Sequence, residues 1–272
     1  MTAATDLRYT SAPDRRARLV ELVEAQGFCT VSELAAALSV SEMTIRRDVQ
    51  RFIDAGRLRG VHGGVTALRR HAFLGSDFAA RADRMQPAKR AIARRAAQLI
   101  EPDSAVGIDA GTTTLELTHA LDANPPRTVV TASLPVMAAL LREGSPTLVG
   151  LGGVLHAHTQ SFAGPSTVDA IADIRLDLLF LAASGITDQN VYCANEFDAV
   201  VKRAMITVAN RVVLLCDASK FDASAMVRIC RLSDLDSVVI DADLAPDHLR
   251  ILRQHVPEVI VVPVQPTNKE SP

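Results

Sequence analysis

The stretch TVSELAAALSVSEMTIRRD, residues 30–48, decides how the first part of the chain folds. Thr30 with Glu33 three residues later has the form of a capping box, in which the threonine caps a helix and the glutamate reaches back to it. The helix so opened carries Leu34, Ala35 and Leu38 at helical spacing. Only Ser39 and Val40 separate it from Ser41, which caps a second helix predicted to run to about residue 55. Two short helices joined by so tight a turn make a helix-turn-helix. A preceding helix is predicted over residues 15–26, with Leu19, Leu22 and Val23 on one face and Gly27 at its end.

The helix opened by Ser41 divides into two faces. At about 100° per residue, Ile45, Val49, Phe52 and Ile53 share the side that points into a small core. The opposite side carries Met43, Thr44, Arg47, Gln50 and Arg51, with Arg46 at its edge. Arginine and glutamine pair bidentately with guanine and adenine edges, and threonine meets a thymine methyl. Ser41 and these residues are therefore the candidate readers of duplex DNA. Next comes GRLRGVHGGVT, residues 56–66, which reads as a hairpin with Gly63-Gly64 at its tight turn. Such a wing puts Arg59 and His62 beside the phosphate backbone, where they orient the module.

Charge follows the same division. Residues 1–75 hold 11 Lys and Arg against 8 Asp and Glu, and the remainder 18 against 23, so a basic head precedes an acidic body. Local positive charge is what phosphate contacts need. No apolar run approaches the length of a membrane span, and the first residues have no apolar core of a secretory signal. Cys29, Cys193, Cys216 and Cys230 form no CxxC pair, and the histidines have no metal-ligand spacing. The expectation is a cytoplasmic protein with reduced, partly buried thiols and neither metal nor cofactor.

Residues 67–86 read as a hinge with a short helix, and Pro87 opens a helix that continues to Ile100. Beyond it, mainly apolar strands are predicted at 105–109, 128–131, 147–150, 176–181, 212–216, 237–240 and 258–262, with room for crossover helices between them. That alternation implies a mainly parallel α/β sheet. The predicted division is a winged helix-turn-helix over 10–68, a linker over 69–86, an α/β domain over 87–265 and a tail over 266–272.

Ligands of such sheets bind beyond the carboxyl ends of the strands. Asp109, Gly111, Thr112, Thr113 and Thr114 follow the first strand, and Ser133 the second. Gly152 and Gly153 follow the third, Ser184 and Gly185 the fourth, and Asp217, Ser219 and Lys220 the fifth. Glu196 and Lys202 lie on one helix between the last two groups. Lysines, hydroxyls and free N–H groups suit a phosphate, and carboxylates suit sugar hydroxyls.

Val40 to Asp48 followed by His62-Gly63-Gly64 resembles the signature of DeoR-type regulators. The likeness continues through Asp109 to Thr114, Gly152-Gly153, Ser161 to Pro165, Glu196 with Val201-Lys202, and Asp217 with Ser219-Lys220, and spans residues 14–265. It implies a sensor domain similar in fold to ribose-5-phosphate isomerases that answers to a phosphorylated sugar or sugar alcohol. The chain departs from the pattern at Ala132, where the family has Asn, and at Val191-Tyr192-Cys193, where it has a glycine and threonine. The reading is a repressor of a carbohydrate-metabolism operon, acting as a homo-oligomer, dimer or tetramer, with no catalytic residues. Its rivals are a sugar-phosphate isomerase-like enzyme with an added DNA module, and an architectural DNA-binding protein without an effector.

Overall fold

The computed structural model describes residues 12–26, 28–54, 58–61, 64–67, 78–82, 84–123, 125–141 and 146–264. Contacts divide the chain into two units, Met1–Ala72 and Phe73–Pro272.

The first unit comprises α1 (Ala12–Gln26), β1 (Phe28–Thr30), α2 (Val31–Ala37), α3 (Glu42–Asp54), β2 (Leu58–Val61) and β3 (Gly64–Ala67). The capping box is formed: the Glu33 N–H donates to Thr30 Oγ1 at 3.2 Å and the Thr30 N–H to the Glu33 carboxylate at 2.8 Å. Ser41 Oγ likewise accepts the Thr44 N–H at 3.3 Å, which fixes the start of α3. Leu19, Val20, Val23, Leu34, Leu38, Ile45 and Val49 meet in one small core with Leu58 and Val65. Val20 takes the fully buried place expected for Leu22, which is only partly covered.

The wing pairs β2 with β3, and β3 also pairs with β1, a strand the sequence did not reveal. Gly64 lies within β3, opposite Val61 and Thr30, rather than at the apex of a turn. A methyl group on Gly64 would stand 2.4 Å from the Cys29 carbonyl oxygen, so this glycine serves the close approach of two strands. His62 and Gly63 lie outside the described residues.

The second unit begins with α4 (Phe78–Ala82) and α5 (Gln86–Ala97). Its sheet is made of β4 (Ala105–Ile108), β5 (Thr128–Thr131), β6 (Thr147–Gly150), β9 (Leu178–Ala182), β12 (Val212–Cys216), β14 (Ser237–Asp241) and β15 (Glu258–Val262). All seven predicted strands are in it, every pairing is parallel, and the order is β15-β14-β12-β9-β4-β5-β6. The crossover helices include α6 (Thr112–Thr118), α7 (Leu134–Ala139), α8 (Pro165–Ala172), α9 (Glu196–Thr207) and α10 (Pro246–His255).

Alternation sets the two faces. Leu178, Phe180, Val213 and Leu215 pack against Ile92 and Ala96 of α5, Leu117 of α6 and Val136 of α7. Leu179, Leu181 and Leu214 pack on the other side with Ile171 of α8, Met205 of α9 and Leu252 of α10. Burial on both faces is why these strands read as unbroken apolar runs, and each large side chain so buried contributes about 1.5–3 kcal/mol.

Several boundaries differ from expectation by a few residues. Leu176 precedes β9 and makes an isolated bridge to Ala209, Asp109 falls just after β4, and α5 ends at Ala97. The hairpin β7 (Val154–His156) and β8 (Ser161–Ala163), and the antiparallel set β10 (Gly185–Thr187), β11 (Asn190–Cys193) and β13 (Val227–Arg231), were not predicted. These strands, such as VLH and VRICR, interleave polar residues and so lack the unbroken apolar run that marked the sheet strands.

Asp48 is only 2% exposed on α3, and Arg15 and Arg16 of α1 hold its carboxylate at 2.9 and 2.7 Å. Burial raises its pKa, but the hydrogen bonds from Arg16 and Arg15 outweigh that and the net shift is downward. A depressed carboxyl pKa contributes stability that is whole above the ordinary aspartate value and is lost as pH falls through the lower folded value. Asp48→Ala should therefore cost about 2–3 kcal/mol in urea unfolding at neutral pH. The gap to the parent should narrow below about pH 4. A gap that stays constant on acidification would show that the ion pairs are not its source.

Candidate functional site

On α3, Met43, Arg46, Arg47, Gln50 and Arg51 face outward while Ile45 and Val49 are sealed in the core. Ser41 is exposed and Thr44 half-buried, with their hydroxyls 3.0 Å apart. Arg46 pairs with Glu42 at 3.6 Å, an exposed contact that contributes little. Arg59 lies in β2 opposite Thr66. Three arginines and an amide on the solvent side of the second helix of a helix-turn-helix are the equipment for reading a major groove.

In the second unit the sheet reverses its winding between β4 and β9, since β5 and β6 continue to one edge and β12, β14 and β15 to the other. The strand ends at such a point form the ligand crevice of open α/β sheets. Asp109 stands there, 2% exposed. Its Oδ1 accepts the Ala110 N–H at 2.8 Å, and its Oδ2 accepts the Ala182 N–H of β9 at 2.9 Å. The same Oδ2 receives the ammonium of Lys202 from α9. Burial opposes both charges and raises the Asp109 carboxyl; on Lys202, Asp109 and Asp198 outweigh burial, so the ammonium is kept. With two backbone donors on Asp109 as well, we read the pair as charged. Lys202 is thus committed within the protein, not the free positive charge expected from the sequence.

The surrounding residues explain one another. Thr114 Oγ1 donates to the carbonyls of Asp109 and Gly111, at 2.6 and 3.0 Å. Thr112 and Thr113 are buried beside it. A methyl on Gly111 would lie 2.4 Å from the Ala182 Cβ, so glycine lets α6 start against β9. Ser133 caps α7 through the Val136 N–H at 3.4 Å, and Ala132, the departure from the family pattern, is buried. The Gly152 carbonyl accepts from Thr167 Oγ1 at 2.6 Å. Gly153 has φ +142, a value that favours glycine. The Ser184 N–H donates to the Tyr192 carbonyl at 2.9 Å, and Gly185 packs against the Ala223 carbonyl. Glu196 does not join this set: its side chain is 67% exposed and pairs with Arg203 at 3.3 Å.

A second polar centre follows β12. Asp217 is fully buried; its Oδ1 accepts the Ser219 N–H at 3.1 Å and the Ser219 hydroxyl. Among the described residues nothing donates to Asp217 Oδ2, and Lys220 Nζ stands 3.7 Å from it, an ion pair without a hydrogen bond. Asp217, Ser219 and Lys220 line a cavity of about 190 Å³ together with Lys89, Arg81 and Arg84. Lys89 is 2% exposed, and burial, reinforced by the charge of Lys220, lowers its pKa to about 8. Sequence reasoning missed these last three residues. The signal was present for Lys89, which shares a helix face with Ile92 and Ala96; a lysine on the apolar side of an amphipathic helix is out of place there.

A winged helix-turn-helix with an outward basic face, followed by a parallel α/β unit with polar strand ends, is the build of a two-part transcription regulator. Residues 15–71 match the DeoR-like helix-turn-helix domain and residues 84–242 the DeoR C terminal sensor domain. The chain belongs to the DeoR family. It is 31% identical to the L-fucose operon activator of Haemophilus influenzae, over 85% of this chain and 92% of that protein. It is 32% identical to the glycerol-3-phosphate regulon repressor of Escherichia coli, over 87% and 94% respectively. Among solved structures it is similar to ribose 5-phosphate isomerase A of Neisseria gonorrhoeae, with 17% identity over 49% of this chain and 52% of that one and a TM-score of 0.37.

The Asp109–Lys202 pair predicts a stability effect. Lys202→Met leaves a buried carboxylate without its cation and should cost about 3–5 kcal/mol in chemical unfolding. The double variant Lys202→Met with Asp109→Asn should recover part of that loss. A single variant as stable as the parent would mean that the pair does not hold the crevice together.

Proposed function

We propose that the chain is a sequence-specific DNA-binding regulator of a carbohydrate-metabolism operon, a repressor whose operator affinity is set by a phosphorylated sugar or sugar alcohol. The observation that carries the DNA half is the outward face of α3, where Arg46, Arg47, Gln50 and Arg51 stand clear of a core sealed by Ile45 and Val49. The effector half is supported by the sensor-domain match and by the cations and carboxylates at the strand ends. The glycerol-3-phosphate regulon repressor is named for a metabolite of this chemistry. We read the second unit as binding rather than catalytic, because Asp109 is engaged with Lys202 and Glu196 with Arg203. Among the described residues no helix is long and apolar enough to cross a membrane, and we place the regulator in the cytoplasm with its DNA.

The test is a screen of sugar phosphates against a protein–operator complex. A phosphorylated sugar or polyol should shift operator affinity, and Lys220→Ala should move the effector midpoint about ten- to a hundredfold. Arg47→Ala should weaken operator binding by about 1–3 kcal/mol and relax specificity at one base pair. Operator affinity indifferent to every compound would remove the effector reading, and an Arg47→Ala protein that binds like the parent would remove the assigned face.

We infer that the regulator works as a homo-oligomer, a dimer or a tetramer. One reading helix covers too few base pairs to select a site, and two related by a two-fold axis read paired half-sites. A groove of about 960 Å³ between α5 and α6 sets Arg90 and Arg94 against Glu116 and Asp122, a pattern complementary to a copy of itself. Sedimentation at micromolar concentration should give an oligomer, and Arg94→Glu should weaken it. A monomer with and without operator would exclude this reading.

A further inference from the structure

Lys89 is a buried cation held by neutral partners. Among the described residues no carboxylate lies within ion-pair distance of it; Lys220, Arg81, Asp217 and Glu116 act on it from further off. Its ammonium donates to the carbonyl of Arg81 and, at 3.3 Å, to that of Ala82, the last two residues of α4. Those are helix-terminal carbonyls that the helix itself leaves without donors. A helix of five residues does not hold its own shape in water, so α4 depends on its anchors. At its start these are the buried Phe78 side chain and the Phe78 N–H to the His158 carbonyl, at 2.8 Å. At its end they are Lys89, the Arg84 N–H, which donates to the Arg81 carbonyl at 3.3 Å, and the Gln86 amide, which donates to the Ala82 carbonyl at 2.6 Å.

The cavity beside Lys89 asks for a particular ligand. Even with Arg81 set aside, Arg84, Lys89 and Lys220 outnumber Asp217 and Asp222 among its described lining residues, which suits an anion such as phosphate. Asp217 Oδ2, buried and without a hydrogen-bond donor among the described residues, needs an N–H or O–H. A phosphate ester with a nearby hydroxyl supplies both the anion and the donor. We propose that this cavity takes the phosphate of a phosphorylated sugar or polyol, its hydroxyl on Asp217, and that Lys89 leaves the end of α4 to hold it. The proposal rests on the effector reading above and assigns it a place and a readout. Contact with a phosphate adds the attraction of opposite charges to the hydrogen bond, which a neutral carbonyl does not, so the exchange favours the ligand. The chain from the helix-turn-helix reaches the sheet through α4, so loosening α4 carries ligand state to the segment that leads from the DNA-binding unit.

Hydrogen exchange over residues 78–84 of the full chain tests this, with inorganic phosphate and glycerol 3-phosphate as probes and calorimetry to measure binding. Saturating glycerol 3-phosphate should speed exchange of the α4 amides about tenfold. It should also bind more tightly than inorganic phosphate, whose O–H groups all sit on phosphorus; equal affinities would overturn the role of Asp217 as partner of the polyol hydroxyl. Lys89→Met should bind glycerol 3-phosphate about ten- to a hundredfold more weakly and show fast α4 exchange with or without it. Arg84→Ala, at an exposed position, keeps the test open should Lys89→Met misfold, and should weaken binding with slow exchange in the free protein. Unchanged affinity in both variants, or no binding of either probe, overturns the cavity. Binding without any change in α4 overturns the exchange of Lys89. A sugar phosphate that shifts operator affinity equally in the parent and in Lys89→Met leaves the effector reading standing and removes this one.

Discussion

A parallel sheet covered on both faces can offer a ligand little but the ends of its strands, and most of this protein's second unit follows from that. Helices α5, α6 and α7 close one face and α8, α9 and α10 the other, so neither face is open. The polar residues are forced to the carboxyl ends, where the chain leaves each strand. Asp109 after β4 and Asp217 after β12 are both nearly or fully buried there, and each must be satisfied locally. Asp109 finds two backbone N–H groups and Lys202. Among the described residues Asp217 finds donors for one oxygen only. Two carboxylates that follow the strands on either side of β9 thus end in different states. The first closes the point where the winding reverses, and the second leaves a polar cavity beside it.

The first unit works under the opposite constraint, since a core of eleven buried side chains among the described residues leaves little apolar surface with which to fix an orientation. Polar contacts therefore carry much of the geometry. The box between Thr30 and Glu33 sets where α2 begins, and Asp48 ties α3 to α1 through two arginines. Arg15 and Arg16 are spent inside the unit, whereas Arg46, Arg47 and Arg51 stay outward on α3. Net charge does not separate these two groups of arginines; only the partner of each does.

Much of the fold was legible because its signals are local and repeat. Seven apolar runs with crossover lengths between them gave the strands of the sheet, and the spacing of Ile45, Val49 and Phe52 gave the buried side of α3. Contacts between distant segments were not legible. Nothing near Gly64 in sequence shows that Cys29 will lie against it, and nothing near Lys202 shows that Asp109, 93 residues away, will take its charge. Glu196 illustrates the same limit from the other side. It opens the helix that carries Lys202, yet one face of α9 is sealed against the sheet and the other is in solvent, so the two residues part company. The burial of Lys89 was missed although its signal was local, since it shares a helix face with Ile92 and Ala96.

The three lysines near these strand ends show how surroundings sort a single residue type into different uses. Lys202 is buried with carboxylates, and moving its charge would strand Asp109, at a cost of about 3–5 kcal/mol. Lys220 is 18% exposed and paired loosely, so solvent can replace its partner. Lys89 is as buried as Lys202 but is met by two carbonyls, and burial with the charge of Lys220 lowers its pKa to about 8. Hydrogen bonds to neutral acceptors offset only part of the cost of burying a charge, whereas an anion offsets far more. Of the three, Lys89 is the one whose energy an incoming anion changes most, and it is also the one that holds the end of a five-residue helix. A buried charge left half-satisfied is costly to a rigid domain, but in a regulator it gives the ligand something to displace.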